Sequence, residues 1–150
     1  MNILQICHKP PLPAFDGGCK AMHALTEGFL ANAISVKILT ISTQKHPFQP
    51  ELFPTNYLEQ TNIAHTFIDT AIKKKAALAN LFSNKSYNIS RFYNKNFEEL
   101  ITATLQKEKF DVVLLESLYT TPYINAIRKN SNANIIYRSH NIEYSTEKLD

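Results

Sequence analysis

The segment at positions 111–116, DVVLLE, limits the folds open to this chain more than any other feature. Its four central residues are all apolar, which makes it the clearest strand in the sequence. A continuous apolar run of this kind is typical of a central parallel strand that is covered by helices on both faces. The segment therefore predicts an α/β protein built on a parallel sheet.

Strand and helix patterns alternate along the rest of the chain. Further strands are predicted at 3–7, 35–41, 63–69 and 134–138. Helices are predicted at about 19–33, 71–82, 90–109 and 121–129. Such alternation implies right-handed crossovers with helices on both faces of the sheet, and 150 residues suit about one domain. We therefore expect a single Rossmann-like domain.

Two connections have sequence signals of their own. Thr121 offers a hydroxyl at the N-cap and Pro122 the first position of the helix that follows. Residues 42–62 hold three prolines among polar residues and are expected to form one long loop, which is unusual inside a compact domain.

A glycine pair, Gly17 and Gly18, stands between the first strand and the first helix. The first backbone N–H groups of a helix have no partner inside it and carry partial positive charge. A helix that starts at glycines can therefore receive a phosphate or carboxylate close to its backbone. The alternative is that the pair only makes a tight turn into the helix.

Polar residues follow three of the predicted strands, at positions 8–18, 116–117 and 139–143. In an open parallel sheet, ligands bind outside the carboxyl ends of the strands. We therefore expect these three segments to converge on one crevice.

Several classes of protein are excluded by what these segments lack. The first loop has no G-x-G-x-x-G and the second strand ends in Ile41-Ser42-Thr43 without an acidic residue, which argues against a dinucleotide site. No Gly-Lys-Ser/Thr follows the first strand, so a P-loop is excluded, and the acidic cluster of a receiver domain is also missing. The net charge of +3 and the absence of an RNA-binding pattern argue against nucleic acid.

The cysteines and the apolar runs indicate where the chain resides. Two cysteines make no disulfide framework, and no apolar run approaches the roughly 20 residues of a membrane span, so we expect a cytoplasmic protein. A zinc site could be drawn from Cys7, His8, Cys19 and His23. Because Cys7 would have to leave a buried strand, we expect buried thiols and no metal.

Two motifs together resemble the N-terminal half of a GT-B glycosyltransferase. They are PPLPAFDGG after the first strand, with a helix and SVKILTI behind it, and FDVVLLES followed by IIYRSHNIE. The similarity covers about residues 1–43 and 110–147, and it is closest to the retaining bacterial enzymes of glycosyltransferase group 1 (family 4-like). In that family two Rossmann-like domains face each other across a cleft, and this chain resembles the acceptor-side domain.

The resemblance implies roles for individual residues. Gly17 and Gly18, preceded by Asp16, match the loop that approaches the donor's diphosphate, and fixed N–H donors there would stabilise the departing charge. His140 matches a histidine that contacts the transferred sugar and is the catalytic candidate. Contacts to the sugar or the acceptor are expected from Glu116, Arg138, Asn141 and Glu143. From the residues alone, His140 would be structural and Glu143 a first-turn carboxylate favoured by the helix dipole.

The same resemblance implies the partners. They are a nucleotide-sugar donor, which is a substrate rather than a cofactor, and a glycan or lipid-linked acceptor. The donor's nucleotide is held mostly by a C-terminal domain whose acidic pair and basic residue have no counterpart in these 150 residues. We therefore expect the isolated chain to be inactive and the C-terminal domain to be a required partner.

A basic segment supports a different class of function. Six basic residues and no acidic one lie between positions 71 and 97: Lys73, Lys74, Lys75, Lys85, Arg91 and Lys95. Leucines and a phenylalanine stand among the lysines, so this surface could rest on anionic lipid at the inner face of the membrane, where each charge is worth about 1 kcal/mol. The alternatives are a non-catalytic module that docks on a membrane or protein partner, or an ordinary solvated helix face.

Overall fold

The protein is described here by a computed structural model of residues 1–70 and 87–139. Within these residues the chain forms a sheet of five parallel strands in the order β3–β2–β1–β4–β5. The strands are β1 (Asn2–Cys7), β2 (Ser35–Ser42), β3 (Ala64–Phe67), β4 (Val112–Glu116) and β5 (Asn134–Arg138). The predicted α/β class with a Rossmann-like parallel sheet is confirmed.

The described residues also contain four α-helices, and they cover both faces of the sheet. They are α1 (Gly17–Ala31), α2 (Thr55–Thr61), α3 (Lys95–Lys107) and α4 (Ile124–Asn130). Two 3₁₀-helices, Pro50–Leu52 and Leu118–Tyr123, and a helical turn, Tyr87–Ser90, complete the connections. The predicted helix at 71–82 lies outside the described residues.

Each face of the sheet carries its own apolar core. Met22 of α1 and Tyr57 of α2 pack against one face, which β1, β2 and β4 build with Ile3, Val36, Ile38 and Leu114. Phe97 and Ile101 of α3 and Ile127 of α4 pack against the other face, on Leu4, Ile6, Leu39, Val113 and Leu115. Neighbouring residues of β1 and β4 thus enter opposite cores, which explains why these strands show no polar alternation.

The prediction of a long loop at 42–62 is wrong. Pro50 opens the first 3₁₀-helix, and Pro54 immediately precedes α2. A proline lacks an N–H but suits the first turn of a helix, where that N–H would be unpaired in any case. Phe53 and Tyr57 are buried against the sheet, so this segment is a core element.

Three helix starts also differ from the predictions. The first helix, expected from about position 19, begins at Gly17, so the glycine pair forms its first two residues. Thr121 is not an N-cap, because its hydroxyl donates to the Leu118 carbonyl inside a 3₁₀-helix that begins after Ser117. The helix expected from position 90 begins at Lys95. Asn94 stops it there, since its side-chain oxygen accepts from the amides of Asn96 and Phe97. The predicted bounds of β5 match the structure.

A further feature of the described residues concerns membranes. In the two stretches that make up the described part, no helix has both the length and the apolar character that crossing a bilayer would require.

Tyr123 ties the start of α3 to the rest of the fold. Its side chain is fully buried, and its hydroxyl donates to the Phe92 carbonyl at 2.6 Å and accepts from the Asn94 amide at 3.0 Å. Burial raises the pKa of Tyr123 well above its ordinary value, although the hydrogen bond with Asn94 opposes the shift. The hydroxyl therefore stays protonated and holds both backbone groups in place.

We expect Tyr123→Phe to lower the free energy of unfolding by about 1–3 kcal/mol, because it leaves a backbone carbonyl and an amide without their partner. Urea denaturation measures the change. Tyr137→Phe, which removes the hydroxyl of a half-exposed residue, is the matched control and should change stability by less than about 0.5 kcal/mol. Equal effects of the two substitutions would show that the buried hydroxyl has no special role.

Candidate functional site

A crevice of about 360 Å³ opens at the carboxyl end of the sheet. Three segments build it: those that follow β1 and β4, and the end of β5 together with the residue after it. Its lining residues are His8, Lys9, Asp16, Gly17, Gly18, Ser117, Leu118, Tyr119, Tyr137 and Ser139. The predicted convergence of the three segments is thus observed as far as residue 139.

The crevice lies at the topological switch point of the sheet. From β1 the chain builds outward to β2 and β3 on one side, and β4 and β5 lie on the other side. The loops after β1 and β4 therefore leave the sheet in opposite directions and open a gap between them. Open α/β sheets bind their ligands at such a gap.

Gly17 and Gly18 are the first two residues of α1, and both line the crevice. Among the described residues, neither amide donates to a protein acceptor. Among the described residues, a Cβ at Gly17 would meet no atom within 4 Å, and a Cβ at Gly18 would lie 3.3 Å from Lys9 Nζ. The pair thus presents two backbone donors and leaves room in front of them.

Asp16 caps α1. Its Oδ1 accepts from the Cys19 amide at 2.9 Å, and its Oδ2 accepts from Lys9 Nζ at 2.6 Å. Partial burial works against ionisation, but the hydrogen bonds from Lys9 and Cys19 prevail and hold the pKa of Asp16 well below its ordinary value. The resemblance assigned Asp16 to the loop that approaches the donor's diphosphate. In the structure its carboxylate accepts a hydrogen bond from the third backbone amide of α1.

His8 lines the same crevice as the backbone amides of Gly17 and Gly18. Its Nδ1 lies 2.9 Å from the backbone carbonyl oxygen of Glu116, and its ring lies 5.8 Å from that of Tyr119 between centroids. A carbonyl oxygen can only accept, so Nδ1 carries the proton of this hydrogen bond. The orientation of the imidazole is therefore set by the end of β4.

A network of buried polar side chains lies beneath the crevice. Glu116 is fully buried at the end of β4, and its Oε1 accepts from Gln5 Nε2 at 2.8 Å. Its Oε2 forms an ion pair with Arg138 Nε at 3.0 Å. Since the carboxylate only accepts, Gln5 turns its amide nitrogen towards it and its oxygen towards the Thr26 hydroxyl, 2.7 Å away. This network of side chains joins β5, β4, β1 and α1.

The sugar and acceptor contacts predicted from the sequence fall into two groups. Glu116 and Arg138 are described, and there they pair with each other, with Glu116 closed off from the crevice. Asn141, Glu143 and the catalytic candidate His140 lie outside the described residues. Ser139, the residue before His140, lines the crevice.

Most of the basic segment also lies outside the described residues, namely Lys73, Lys74, Lys75 and Lys85. Arg91 is described, and its guanidinium lies 5.5 Å from the centre of the Phe92 ring. Lys95 faces Glu99 at 3.8 Å in an exposed pair on α3. The docking surface remains a prediction of the sequence.

Ser117 has a strained backbone at the base of the crevice. Its φ of 91° lies in a region that side chains other than glycine rarely adopt, at a cost of about 1–3 kcal/mol. Two hydrogen bonds support it: its amide donates to the Arg138 carbonyl, and its hydroxyl accepts from the Tyr119 amide. Such strain concentrates at functional sites.

The two cysteines are buried, as predicted. Burial, helped by the nearby Glu116 carboxylate, raises the pKa of Cys7 well above its ordinary value, and burial also raises that of Cys19. Both thiols therefore stay protonated and make poor nucleophiles. Within the part of the chain that the structure describes, no three His, Cys, Asp or Glu side chains come together to hold a metal ion.

The sequence reasoning missed the roles of His8, Lys9 and Gln5. His8 and Lys9 directly follow β1 and so belong to a segment that was expected in the crevice, but their partners lie elsewhere in the chain. Gln5 gave a clearer signal, since it is the one polar residue inside the apolar run ILQIC. A buried side-chain amide needs a hydrogen-bond partner, so Gln5 could have indicated a network of polar side chains below the site.

Comparison of the chain with protein-family models, with curated proteins and with solved structures found no match.

We expect Glu116→Ala to lower the free energy of unfolding by about 3 kcal/mol, because it leaves Arg138 and Gln5 without their acceptor in a buried site. Urea denaturation measures this. Glu108→Ala is the matched control: it removes a partly exposed pair with Lys37 at 3.1 Å and should cost at most about 1 kcal/mol. If Glu108→Ala proved as costly, the network of buried side chains around Glu116 would have no special importance.

We expect Asp16→Ala to cost about 1 kcal/mol at neutral pH through loss of the helix cap, whereas Asp16→Asn keeps a capping oxygen. The asparagine variant loses only the charge that pairs with Lys9, on a side chain 42% exposed, so its deficit should be smaller. Because the pKa of Asp16 is lowered by folding, its charge stabilises above about pH 4 and stops doing so as the pH falls through the folded pKa. Urea unfolding of wild type and Asp16→Asn should therefore converge at low pH; a gap independent of pH would contradict the pairing.

Proposed function

We propose that this chain is the acceptor-side, N-terminal half of a retaining GT-B glycosyltransferase that uses a nucleotide-sugar donor. In this proposal a second Rossmann-like domain holds the nucleotide, as in the family that the sequence resembles. The chain described here supplies the surface on which the donor's diphosphate and the acceptor meet.

One observation carries the proposal: the helix amides of Gly17 and Gly18, which donate to no acceptor among the described residues, line a crevice at the switch point of a parallel sheet. The N-terminus of a 15-residue helix favours negative charge, and its first N–H groups are suited to phosphate oxygens. The switch point is also where a ligand in this class of sheet is expected.

The charges around the crevice support an anionic ligand. Lys9 approaches Gly18 and is largely buried, with 13% of its side chain exposed, so its position is well defined. The carboxylate of Asp16 is already held by Lys9 and by the Cys19 amide. An incoming diphosphate would therefore meet donors in front and a neutralised carboxylate at the side.

The chemistry that this arrangement can assist is departure of a diphosphate. When the bond from the sugar to the phosphate oxygen breaks, negative charge grows on that oxygen. Amides fixed at Gly17 and Gly18 need no reorganisation to stabilise it, and removal of one such donor typically costs a factor of about 10²–10³ in rate. The roles of His140, Asn141 and Glu143 in contacting the sugar are part of the same proposal and follow from the resemblance.

We expect Gly18→Val to reduce sugar transfer by at least about tenfold, because a branched side chain would crowd Lys9 and the space before the amides. Gly17→Val should have a similar effect, with little cost to folding, because no atom of the described residues lies within 4 Å of a Cβ placed there. The assay follows release of the nucleoside diphosphate from a panel of nucleotide sugars, using the full product of the reading frame and an envelope lipid extract as acceptor source.

Gly28→Val is the matched control. Gly28 lies in the same helix and does not line the crevice, and a Cβ there would also meet no atom within 4 Å in the described part of the chain. This variant should transfer sugar at the wild-type rate. Retention of full transfer by both Gly17→Val and Gly18→Val would remove the basis of the proposed function, and so would the absence of transfer from every donor in the panel.

A further inference from the structure

We propose that His8 couples anion binding in the crevice to uptake of a proton, so that the crevice holds a phosphate-type dianion more tightly when His8 is protonated. The inference deepens the proposed function and rests on it in one respect, namely that the crevice takes an anion. It adds a residue to which the sequence gave no role of this kind.

The geometry fixes which nitrogen of His8 titrates. Nδ1 lies 2.9 Å from the Glu116 carbonyl oxygen, which accepts a hydrogen bond and cannot donate one. Nδ1 therefore keeps its proton in both charge states of the ring, and Nε2 is the nitrogen that gains or loses one. Neutral imidazoles commonly have their tautomer set in this way by the hydrogen bond of the other nitrogen.

The Glu116 carbonyl also holds the ring where its charge matters. Glu116 pairs in register with Cys7, the residue before His8, so the contact spans two adjacent strand ends. Tyr119 packs against the ring, with 5.8 Å between the centroids. His8 thus lines the same crevice as the Gly17 and Gly18 amides on a supported side chain.

Titratable and charged groups of the described residues also line the crevice around His8. They are Lys9, Asp16, Tyr119 and Tyr137, and the Glu116 backbone contacts the His8 ring, while His46 lies near Lys9 and Asp16. Lys9 and Asp16 pair with each other, and Glu116 pairs with Arg138. A proton at His8 would therefore add a positive charge that these two ion pairs of the described residues do not neutralise.

His46 is the natural control for this assignment. Burial lowers its pKa, and the nearby Lys9 lowers it further, so His46 favours its neutral form near neutral pH. It lies close enough to the Lys9–Asp16 pair to sense that charge. A dependence on pH that came from histidines in general would involve it as well.

The test uses sulfate as the probe, because sulfate remains a dianion between about pH 5 and 8, where imidazoles titrate. The ¹⁵N-labelled full chain is titrated at constant ionic strength while the Gly17 and Gly18 amides are observed by NMR. In wild type we expect sulfate to bind at least about fivefold more tightly at pH 5.5 than at pH 8, the effect of about one added charge near the ligand.

Two variants assign the effect to His8. His8→Asn places an amide nitrogen where Nδ1 stood and does not titrate, so its sulfate affinity should be nearly independent of pH. His46→Asn should keep the wild-type dependence. A reading on the wild-type protein covers a failure of His8→Asn to fold: by reciprocity, bound sulfate must shift the titration midpoint of the His8 ring to higher pH.

The outcomes separate this inference from the proposed function. Sulfate that perturbs Gly17 and Gly18 equally at both pH values, or a His8 midpoint that sulfate leaves unchanged, overturns the role of His8 and leaves the phosphate site standing. Sulfate that perturbs neither amide overturns both. If the link to pH is found but Gly17→Val and Gly18→Val transfer sugar normally, the anion site is real and the glycosyltransferase assignment falls.

Discussion

The carboxylate of Glu116 is the group on which the rest of the site depends. It is fully buried, and a buried charge costs several kcal/mol unless it is paired. Gln5 from β1 and Arg138 from β5 supply that pairing, at 2.8 and 3.0 Å. Because one group needs partners on both neighbouring strands, the ends of β1, β4 and β5 are held in a fixed relation. The backbone carbonyl of the same residue orients His8, so the network of buried side chains also positions the crevice lining.

The turn that follows Glu116 adds strain to this framework. Glycine would adopt the φ of 91° at Ser117 freely, but a glycine would have no hydroxyl to accept from the Tyr119 amide. The serine therefore closes a tight exit from β4 at some conformational cost and brings Tyr119 against His8. Tyr119 in turn packs on Phe92, with 4.4 Å between ring centroids, which connects the crevice to the start of α3. A change in the backbone of Ser117 would therefore affect both His8 and the apolar core that α3 and α4 form with the sheet.

The parts of this protein that could be predicted are those that local composition decides. β4 was predicted to within a residue, because a central parallel strand covered on both faces appears as an apolar run. β5 lies at the edge of the sheet and is half-exposed, and its short apolar segment still gave its observed bounds. The crevice was predicted because parallel topology alone brings the carboxyl ends of strands together. Pro50 and Pro54 misled, since a proline breaks a helix interior and also begins a helix. The contacts of Gln5 and His8 with Glu116 span 111 and 108 positions, and no local pattern reveals a partner so far away.

The helix cap and the proposed anion site use the same turn of α1, and they are compatible because they use different amides. Asp16 accepts from the third amide, that of Cys19, and leaves those of Gly17 and Gly18 facing the crevice. Its negative charge would oppose a phosphate if it were unpaired, but Lys9 holds it at 2.6 Å. Removal of Lys9 would therefore do two things at once, since it would take a cation from the crevice and expose the cap's charge to the ligand. Substitution of Asp16 by asparagine would do the reverse, by freeing Lys9 for the anion while keeping the cap. On this physical reasoning Asp16 restrains anion binding and Lys9 promotes it, although the two residues form a single ion pair.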